Sequence, residues 1–414
     1  MRFLHISDLH IGKRVNGISL VEDQEYILAQ IVEIACERDV DALVIAGDIY
    51  DKASPSAEAV TVFDGFLTKL ASMGVCVLAI PGNHDSAERI AYAQGLLSAQ
   101  GICFPPVFAG EVSCVRVADD HGDVCFWLLP FLRPGDVRRF FPDAEIGDNY
   151  AAALRAVLEA CSIDRSQRNV IVMHQLVTAG GVAPERADDE IKLGGIDAVD
   201  VSVYDDFDYV ALGHVHRPQR VGRDTVRYSG SVLKYSFSEA RYPKSAVLVE
   251  LGPKQASDDV GACVSFELVP LVPLHDMREV CMTLTELLAL GQDDAAGAAM
   301  ADTAVTTDAA RYDYLHITLT DEHPQLDAMA RIREVFPNAM ALDYENVAIL
   351  AARAHVCAAV DPDELDTVQL FGQFFEEQVG KPLDEVQHGI VTQAVAAVER
   401  AYAGNSARGE EEAR

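Results

Sequence analysis

Five short apolar runs within the first 216 residues each lead into a polar group of a similar kind. The runs are four to six residues long, as in buried strands, and the groups that follow are rich in aspartate, asparagine and histidine. Because ligands collect at the carboxyl ends of strands in α/β sheets, this order predicts that the groups meet at one site. The groups are Asp8-Leu9-His10, Gly47-Asp48-Ile49-Tyr50-Asp51, Gly82-Asn83-His84-Asp85, His174, and Gly213-His214-Val215-His216.

The segments between and after these runs predict helices and further strands. Apolar residues recur at helical spacing over Leu20–Arg38 and Ala57–Met73. Later apolar runs predict further strands, and several of these runs are adjacent, as in a second sheet with hairpins. The runs are Val112–Val117, Val124–Leu129, Val170–Met173, Tyr209–Leu212, Val226–Ser229 and Ala246–Leu251. The pattern therefore predicts an α/β domain built as a two-sheet β-sandwich flanked by helices.

A linker-like stretch from Pro253 to Asp259 divides the chain. We expect residues 1–253 to form the first domain and residues 262–350, which include the strand-like run Cys263–Val269, to form a small α+β unit. Residues 291–310 are rich in Ala, Asp and Thr and predict a flexible insertion in that unit. The sequence pattern over residues 361–402 predicts helices, and the composition of residues 403–414 predicts a disordered tail.

Composition and charge restrict the possible partners. No apolar run approaches the length of a membrane span, and the N-terminus lacks the features of a signal peptide, so we expect a cytoplasmic protein with no membrane partner. The formal net charge of −32 weighs against DNA, because duplex binding usually needs a basic surface. Charge distribution matters more than its sum, and five basic residues near the polar groups are expected to contact a nucleic-acid backbone. They are Lys13, Arg14, Lys52, Arg217 and Arg220.

The residue types of the five groups suit divalent transition metals. Imidazole and carboxylate ligands together favour Mn, Fe or Zn over Ca or Mg. Residues two apart in an extended segment point to the same side, so Asp8 with His10, and His214 with His216, can each present two donors to one cavity. The pool is too large for one tetrahedral ion and suits two ions that share a carboxylate. Each group alone is more simply explained as a turn, a helix cap or a structural histidine, but all five in order favour a metal site.

This ordered set resembles the calcineurin-like metallophosphoesterase family over roughly the first 250 residues. The resemblance implies one metal ion held by Asp8, His10, Asp48 and His216, and another held by Asp48, Asn83, His174 and His214. It also implies that His84 faces the scissile phosphate and protonates the leaving oxygen or stabilises the developing charge. The carboxylate of Asp51 would orient His84.

Within that family, three stretches resemble bacterial SbcD nucleases. They are Met1–Lys13, Gly47–Asp51 with Pro55–Ala57, and Tyr209–His216 with Tyr228–Ser231. The resemblance implies Mn-dependent cleavage of DNA ends and hairpins by a hydroxide that bridges two metal ions, in DNA repair and recombination. It further implies that residues 262–350 cap the DNA, and that the chain forms a homodimer within a heterotetramer with an SbcC ATPase.

An aromatic stripe near the C-terminus has two interpretations. Phe371, Phe374 and Phe375 lie at helical spacing, so they can pack within their own helical unit or dock onto a partner. The pattern alone leaves both open, and the resemblance favours docking onto the ATPase subunit.

Two other functions remain open from the sequence. A phosphodiesterase or phosphatase for small nucleotides or phosphoproteins would use the same metal ligands, although it would not need the C-terminal units. A binding module that has lost catalysis would use the fold as a scaffold. Such modules usually lose ligands, whereas this chain retains all of the ligand candidates together with His84.

Overall fold

The computed structural model describes residues 1–186, 198–255, 259–290, 311–321, 323, 325–345, 367–379, 382–384 and 386–395. The predicted insertion at 291–310 and the predicted tail at 403–414 lie outside the described residues. The chain divides into two units, Met1–Tyr344 and Glu345–Arg414.

Six strands form the first sheet of the larger unit. They are β1 (Arg2–Ile6), β4 (Ala42–Ala46), β5 (Cys76–Ile80), β6 (Ile102–Cys103), β15 (Ser245–Leu251) and β16 (Val264–Pro270). Their order across the sheet is β16-β15-β1-β4-β5-β6. Strands β1, β4, β5 and β6 are parallel, whereas β15 pairs antiparallel with both β1 and β16. The carboxyl ends of β1, β4 and β5 therefore lie along one edge.

A second sheet of six strands contributes another set of parallel carboxyl ends. Its strands are β7 (Ser113–Asp119), β8 (Gly122–Leu128), β9 (Arg168–Met173), β12 (Tyr209–Leu212), β13 (Gln219–Val221) and β14 (Arg223–Tyr228). Their order is β13-β14-β12-β9-β8-β7, with β8, β9, β12 and β14 parallel and the two outer strands antiparallel.

Short strand pairs and helices complete this part of the chain. The pairs are β2 (Arg14–Val15) with β3 (Ile18–Ser19), and β10 (Val177–Thr178) with β11 (Val199–Asp200). The helices are α1 (Val21–Glu37), α2 (Ala57–Ser72), α3 (Ala87–Ile90), α4 (Gln94–Leu97), α5 (Pro134–Arg138) and α6 (Tyr150–Glu159). Helix α2 begins at the N-cap Ser56, whose side chain accepts a hydrogen bond from the main-chain N–H of Ala59.

The two sheets pack face to face because their central strands are apolar on both sides. In β9, Val170 and Val172 join a core shared with the first sheet, whereas Ile171 and Met173 join the core that includes α5 and α6. Helices α1 and α2 cover the outer face of the first sheet in the same way. The two-sheet sandwich flanked by helices that the sequence predicted is confirmed.

Strand β16 pairs differently from the sequence expectation. The run Cys263–Val269 was expected in the small α+β unit, but Val264–Pro270 extends the first sheet by pairing with β15 from Ser245↔Pro270 to Leu251↔Val264. An alternating strand pattern shows which residues face inward but not which edge the strand joins, so the sequence left this open.

The small α+β unit is a three-stranded parallel sheet covered by two helices. It consists of β17 (Met277–Met282), α7 (Leu284–Leu290), β18 (Tyr314–Leu319), α8 (Ala328–Val335) and β19 (Ala339–Tyr344), with β18 in the centre. The sheet and both helices share a core of their own. Buried Asp23 of α1 joins this unit to the sandwich, since it accepts hydrogen bonds from the Tyr314 hydroxyl at 2.6 Å and the His275 main-chain N–H at 3.0 Å.

In the second unit, α9 (Thr367–Val379) and a helical segment at 386–395 are described. Helices were predicted over 361–402, and the remainder of that range is outside the described residues. No helix in the described part of the chain is long and apolar enough to cross a membrane.

Candidate metal centre

The five polar groups meet at one edge of the sandwich. Asp8, Asp48 and Asn83 follow the parallel strands β1, β4 and β5, and His174 and His214 follow β9 and β12 of the facing sheet. Two bridges join the loops, one between Ser7 and Ser231 and one between Ile11 and Tyr50. The sandwich therefore brings together residues that are up to 208 positions apart, from Asp8 to His216.

One cluster of donor atoms contains Asp8, His10, Asp48 and His216. Donor atoms of Asp8, His10 and His216 all lie within 4.8 Å of one another. The Nε2 atoms of His10 and His216 are 3.2 Å apart, and His10 Nε2 is 3.8 Å from Asp48 Oδ2. All four side chains are buried.

A second cluster adjoins the first and contains Asp48, Asn83, His174 and His214. His174 Nε2 lies 3.2 Å from Asp48 Oδ2 and 3.1 Å from Asn83 Oδ1. His214 Nδ1 lies 3.0 Å from the same Asn83 oxygen. Since Asp48 Oδ2 is close to histidine nitrogens of both clusters, it is placed to be shared between them.

The spacing and chemistry of these atoms fit divalent metal ions. Ligand atoms bonded at about 2.0–2.2 Å to one ion lie about 3 Å apart, and the distances within the second cluster are 3.0–3.2 Å. The donors are imidazole nitrogens, carboxylates and one amide oxygen, which suit Mn, Fe or Zn.

Hydrogen bonds fix which imidazole nitrogen of His174 and of His216 faces the centre. His174 Nδ1 donates to the main-chain oxygen of Ala46 at 2.7 Å, and His216 Nδ1 donates to Glu239 Oε1 at 3.0 Å, so Nε2 of both rings faces the cluster. Glu239 is fully buried and forms an ion pair with Lys244 at 2.5 Å. Sequence reasoning missed Glu239, because no local motif marks a partner 23 positions from His216.

Burial and mutual charge determine the protonation of the metal-free centre. Burial alone would raise the pKa of the Asp48 carboxyl, but the charge and hydrogen bond of His174 hold that pKa well below its usual range. Burial alone would lower the pKa of His174, but Asp48 and then Asp8 raise it to about 9. Burial lowers the pKa of His10 well below its ordinary value. Asp48 is therefore ionised and His10 neutral at neutral pH, the states in which both can bind a cation.

A second carboxylate, Asp85, connects two of the ligand loops. It accepts main-chain hydrogen bonds from Gly82 at 2.9 Å, Ile49 at 3.0 Å and Tyr50 at 2.9 Å. Burial and then the charge of Asp48 raise the pKa of Asp85 to about 6. The sequence placed Asp85 in a motif without giving it a role, and the structure shows that it holds the loop of Asn83 against the loop of Asp48.

The backbone at the centre is held in unusual conformations. Four of the eight non-glycine residues with positive φ in the described chain are ligand candidates: Asp8 at 53°, His10 at 43°, Asp48 at 50° and His214 at 97°. Such conformations cost free energy and concentrate at functional sites.

Two glycines of the motifs are required by close approach. A Cβ atom on Gly82 would lie 2.2 Å from Asp48 Oδ1, and one on Gly213 would lie 1.9 Å from the main-chain oxygen of Ala46. The glycines that precede Asn83 and His214 are therefore explained by the space that the ligands and strands occupy.

His84 differs from the ligand candidates because it is exposed at the opening of the centre. Its ring centroid lies 4.9 Å from that of His10, and its main-chain N–H donates to Asp48 Oδ1 at 2.8 Å. His84 Nδ1 donates to the main-chain oxygen of Asp51 at 3.0 Å. The contact differs from the predicted one, since the Asp51 carboxylate pairs with Lys13 at 3.0 Å instead.

The basic residues predicted to contact DNA have varied environments. Lys13 lies beside the centre through its pair with Asp51, and Lys52 is exposed on the same loop as Asp51. Arg14 donates to a main-chain oxygen in its own hairpin. Arg217 pairs with Glu185 and stacks on Tyr242, and Arg220 pairs with Asp224 at 2.7 Å.

Other basic residues between His214 and Ser245 have structural roles. Arg223 donates to the main-chain oxygens of Tyr204 and Phe207, and Arg227 lies over the Phe266 ring at 4.0 Å. Lys244 is the buried partner of Glu239. The charges of these three side chains are therefore used within the fold and are not available to a nucleic-acid backbone.

Comparison with known proteins identifies the family. Residues 1–218 match the family described as calcineurin-like phosphoesterase. The chain belongs to this family. Residues 273–379 match a second family, described as the type 5 capsule protein repressor C-terminal domain. The match confirms the family that the five motifs predicted.

One of the relatives of this chain is a nuclease subunit. The SbcD subunit of the nuclease SbcCD from Staphylococcus saprophyticus is 28% identical over 386 residues, which cover 92% of this chain and 94% of that protein. A dimetal phosphatase from Danio rerio has a TM-score of 0.39 and 15% identity, over 64% of this chain and 98% of that one. A protein of Thermus thermophilus has a TM-score of 0.36 and 13% identity over the same shares. Similarity to these structures is too low to add to the family assignment.

Proposed function

We propose that this calcineurin-like phosphoesterase is a DNA nuclease subunit that hydrolyses phosphodiester bonds at DNA ends and hairpins. The observation that carries the proposal is the position of Asp48 Oδ2, 3.8 Å from His10 Nε2 and 3.2 Å from His174 Nε2, between two clusters of donors. A carboxylate shared in this way suits a pair of metal ions, and paired ions suit in-line displacement at phosphorus.

The clusters define the proposed ligand sets. Asp8, His10, Asp48 and His216 hold one ion, and Asp48, Asn83, His174 and His214 hold the other. When bound, such a pair polarises the phosphoryl group and makes water a better nucleophile. Mn is the proposed metal, since the donors are the mixed nitrogen and oxygen ligands of a borderline ion.

His84 is proposed to act on the leaving group. Its Nδ1 proton is committed to the main-chain oxygen of Asp51, so in the imidazolium form the proton on Nε2 is available to the leaving oxygen. Exposure at the opening allows contact with a substrate, whereas the buried histidines face only the donors.

DNA is the proposed substrate on the basis of the relative and of the basic residues near the centre. Lys13 and Lys52 lie beside Asp51, and Arg14, Arg217 and Arg220 are at the surface or partly exposed. We assign these five to contacts with backbone phosphates. Strands β17, β18 and β19 form a distinct sheet that shares a core with α7 and α8, which supports the assignment of residues 262–350 as a cap over the DNA.

The C-terminal helices are assigned to docking of an SbcC-type ATPase. Large apolar side chains of this unit are exposed, among them Leu370 and Phe371 at 43% and Val386 at 73%. Phe375 is partly buried, and the side chain of Phe374 is outside the described atoms. Exposed apolar side chains on helices suit a partner surface. The proposed assembly is a homodimer of this chain within a heterotetramer.

The test is Mn-dependent digestion of a duplex with a hairpin end, with His84→Ala as the control. Cleavage by the unaltered chain and a loss of at least 100-fold in the variant, at unchanged Mn stoichiometry, would support the proposal. Hydrolysis of a small chromogenic diester without any cleavage of DNA would favour the phosphodiesterase alternative instead.

The Mn content of the purified chain separately tests whether Asp48 is a ligand of both ions. His214→Ala and His216→Ala should each lose about one ion of the pair, whereas Asp48→Asn should weaken both. Equal loss in all three variants would contradict the assignment of Asp48 as the shared ligand.

A further inference from the structure

A short loop after β8 places an aromatic ring beside the metal centre. β8 is parallel to β9, so its carboxyl end lies at the edge where His174 follows β9. The Phe131 and His174 rings are nearly perpendicular, with an interplanar angle of 80° and centroids 6.4 Å apart. No sequence motif pointed to this loop.

Hydrogen bonds fix the backbone of the loop. The Phe131 N–H donates to the main-chain oxygen of Pro81 at 3.1 Å, next to the loop of Asn83. Gln175, next to His174, donates to the oxygen of Leu132 at 2.9 Å, and the Arg133 N–H donates to Asp136 Oδ2 at 3.0 Å. Two of the three anchors thus come from residues adjacent to ligand loops, so the loop position is coupled to the centre.

Packing does not account for the side chains of Phe131 and Arg133. Leu132 between them is buried in the core of the second sheet, whereas Phe131 is partly exposed and belongs to none of the hydrophobic clusters found in the described chain. The exposed Arg133 guanidinium lies over the Phe131 ring, 6.0 Å from its centroid, and has no ion pair among the described residues. The Phe131 ring and the Arg133 guanidinium are therefore both available to a ligand beside the metal centre.

We propose that Phe131 and Arg133 form a subsite for the nucleotide next to the scissile phosphate. Phe131 stacks on the base, and Arg133 contacts the adjoining phosphate. This inference rests on the proposed nuclease function and adds a binding element that the metal ligands do not supply. Stacking on an aromatic ring tolerates any base, so this subsite would not restrict the sequence that is cleaved.

The experiment compares two single-stranded substrates of equal length, a thymidine oligomer and an abasic oligomer, under Mn. Phe131→Leu keeps an apolar side chain of similar size but removes the aromatic face. It should lower kcat/KM on the thymidine oligomer by about tenfold and change it by less than about twofold on the abasic oligomer. Phe131→Trp should retain the activity on the thymidine oligomer.

The result that would overturn the stacking role is an equal loss on both oligomers, or no loss on either. Mn content of each variant is measured in parallel, and a loss of Mn in Phe131→Leu would show that the ring supports the centre and does not bind a base. If the unaltered chain cleaves neither oligomer nor duplex, the proposed function itself fails, and the subsite with it.

The phosphate contact is tested by salt dependence. Arg133→Ala should flatten the plot of log KM against log salt by about 0.7, the contribution of one phosphate contact on a single strand. Arg139 is the matched control, because its guanidinium also lies over an aromatic ring, that of Phe140, at 5.6 Å. Arg139→Ala should leave the slope unchanged, and equal slopes for Arg133→Ala and the unaltered chain would overturn the phosphate contact.

Discussion

Replacing Glu239 with Leu removes a buried carboxylate that orients His216 and pairs with Lys244. The Glu239 Oε1 atom accepts the proton of His216 Nδ1 at 3.0 Å, and Oε2 lies 2.5 Å from Lys244 Nζ. Glu239 is fully buried and the Lys244 side chain is 4% exposed, so neither charge is screened by solvent. The variant should therefore lose both stability and metal affinity.

The two losses have different sizes and causes. Breaking a buried pair leaves the Lys244 ammonium without its partner, which costs about 3–5 kcal/mol of unfolding free energy. Losing the carboxylate that orients a metal-binding histidine lowers metal affinity by about 10- to 100-fold, or about 1.4–2.7 kcal/mol.

A double variant separates the two effects. Glu239→Leu with Lys244→Met replaces the pair by apolar residues of similar volume, which is often close to neutral for stability. Lys244 also donates to the His216 oxygen and to Ser231 Oγ, but both atoms keep other bonds. The His216 oxygen still accepts from the main-chain N–H of Ser231 at 3.2 Å, and Ser231 Oγ still donates to the Leu233 oxygen at 2.7 Å. The double variant should recover most of the stability.

Urea unfolding of the metal-free chain measures the unfolding free energy, and calorimetric titration with Mn measures the Mn affinity. The single variant should be impaired in both, and the double variant in Mn affinity alone. Recovery of Mn affinity in the double variant would refute the role of Glu239 in orienting His216, and unaltered stability of the single variant would refute the buried pair.

Three further predictions concern the centre itself. In the metal-free protein the pKa of His174 is raised to about 9, so its proton stabilises the fold fully below pH of about 6.5, and this contribution is lost as pH rises through 9. Because Mn must displace that proton, Mn affinity should rise about tenfold per pH unit between about 7 and 9, and a flat profile by calorimetry would contradict the assignment. Gly213→Ala should abolish Mn binding or folding, because its Cβ would meet a main-chain oxygen at 1.9 Å. Gly65→Ala, in a helix with open space around it, should be neutral or stabilising by about 1 kcal/mol in the same unfolding assay. His84→Gln should lower kcat by about 10²- to 10⁴-fold and leave Mn affinity unchanged, whereas a parallel loss of Mn affinity would make His84 a ligand.

Some interactions at the metal centre could be predicted from the sequence, and others could not. Asp8, His10 and His174 follow apolar runs, and parallel strands bring such positions to one edge whatever their separation in the chain. Asp85 stood in a motif, but its three main-chain partners depend on how two loops pack. Glu239 had no local signal at all.

Tertiary contacts decided which partners several of the polar side chains have. The orienting contact to His84 comes from the main-chain oxygen of Asp51, because the carboxylate is occupied by Lys13. Arg227 lies in the same basic stretch of sequence as Arg217 and Arg220, but its burial against Phe266 uses its charge and aliphatic part within the fold. A side chain with several possible partners takes the one that the fold brings nearest, and a sequence pattern does not contain that choice.

The sequence by itself determined the alternation of strands and helices and the residues gathered at the sandwich edge, because periodicity and strand-end positions are local properties. Only the tertiary structure decided which nitrogen His174 and His216 present to the centre, the pairing of Glu239 with His216 and the position of Phe131 beside His174. These depend on atoms brought within a few ångströms across the two sheets, and such distances are set by the packing of the whole domain.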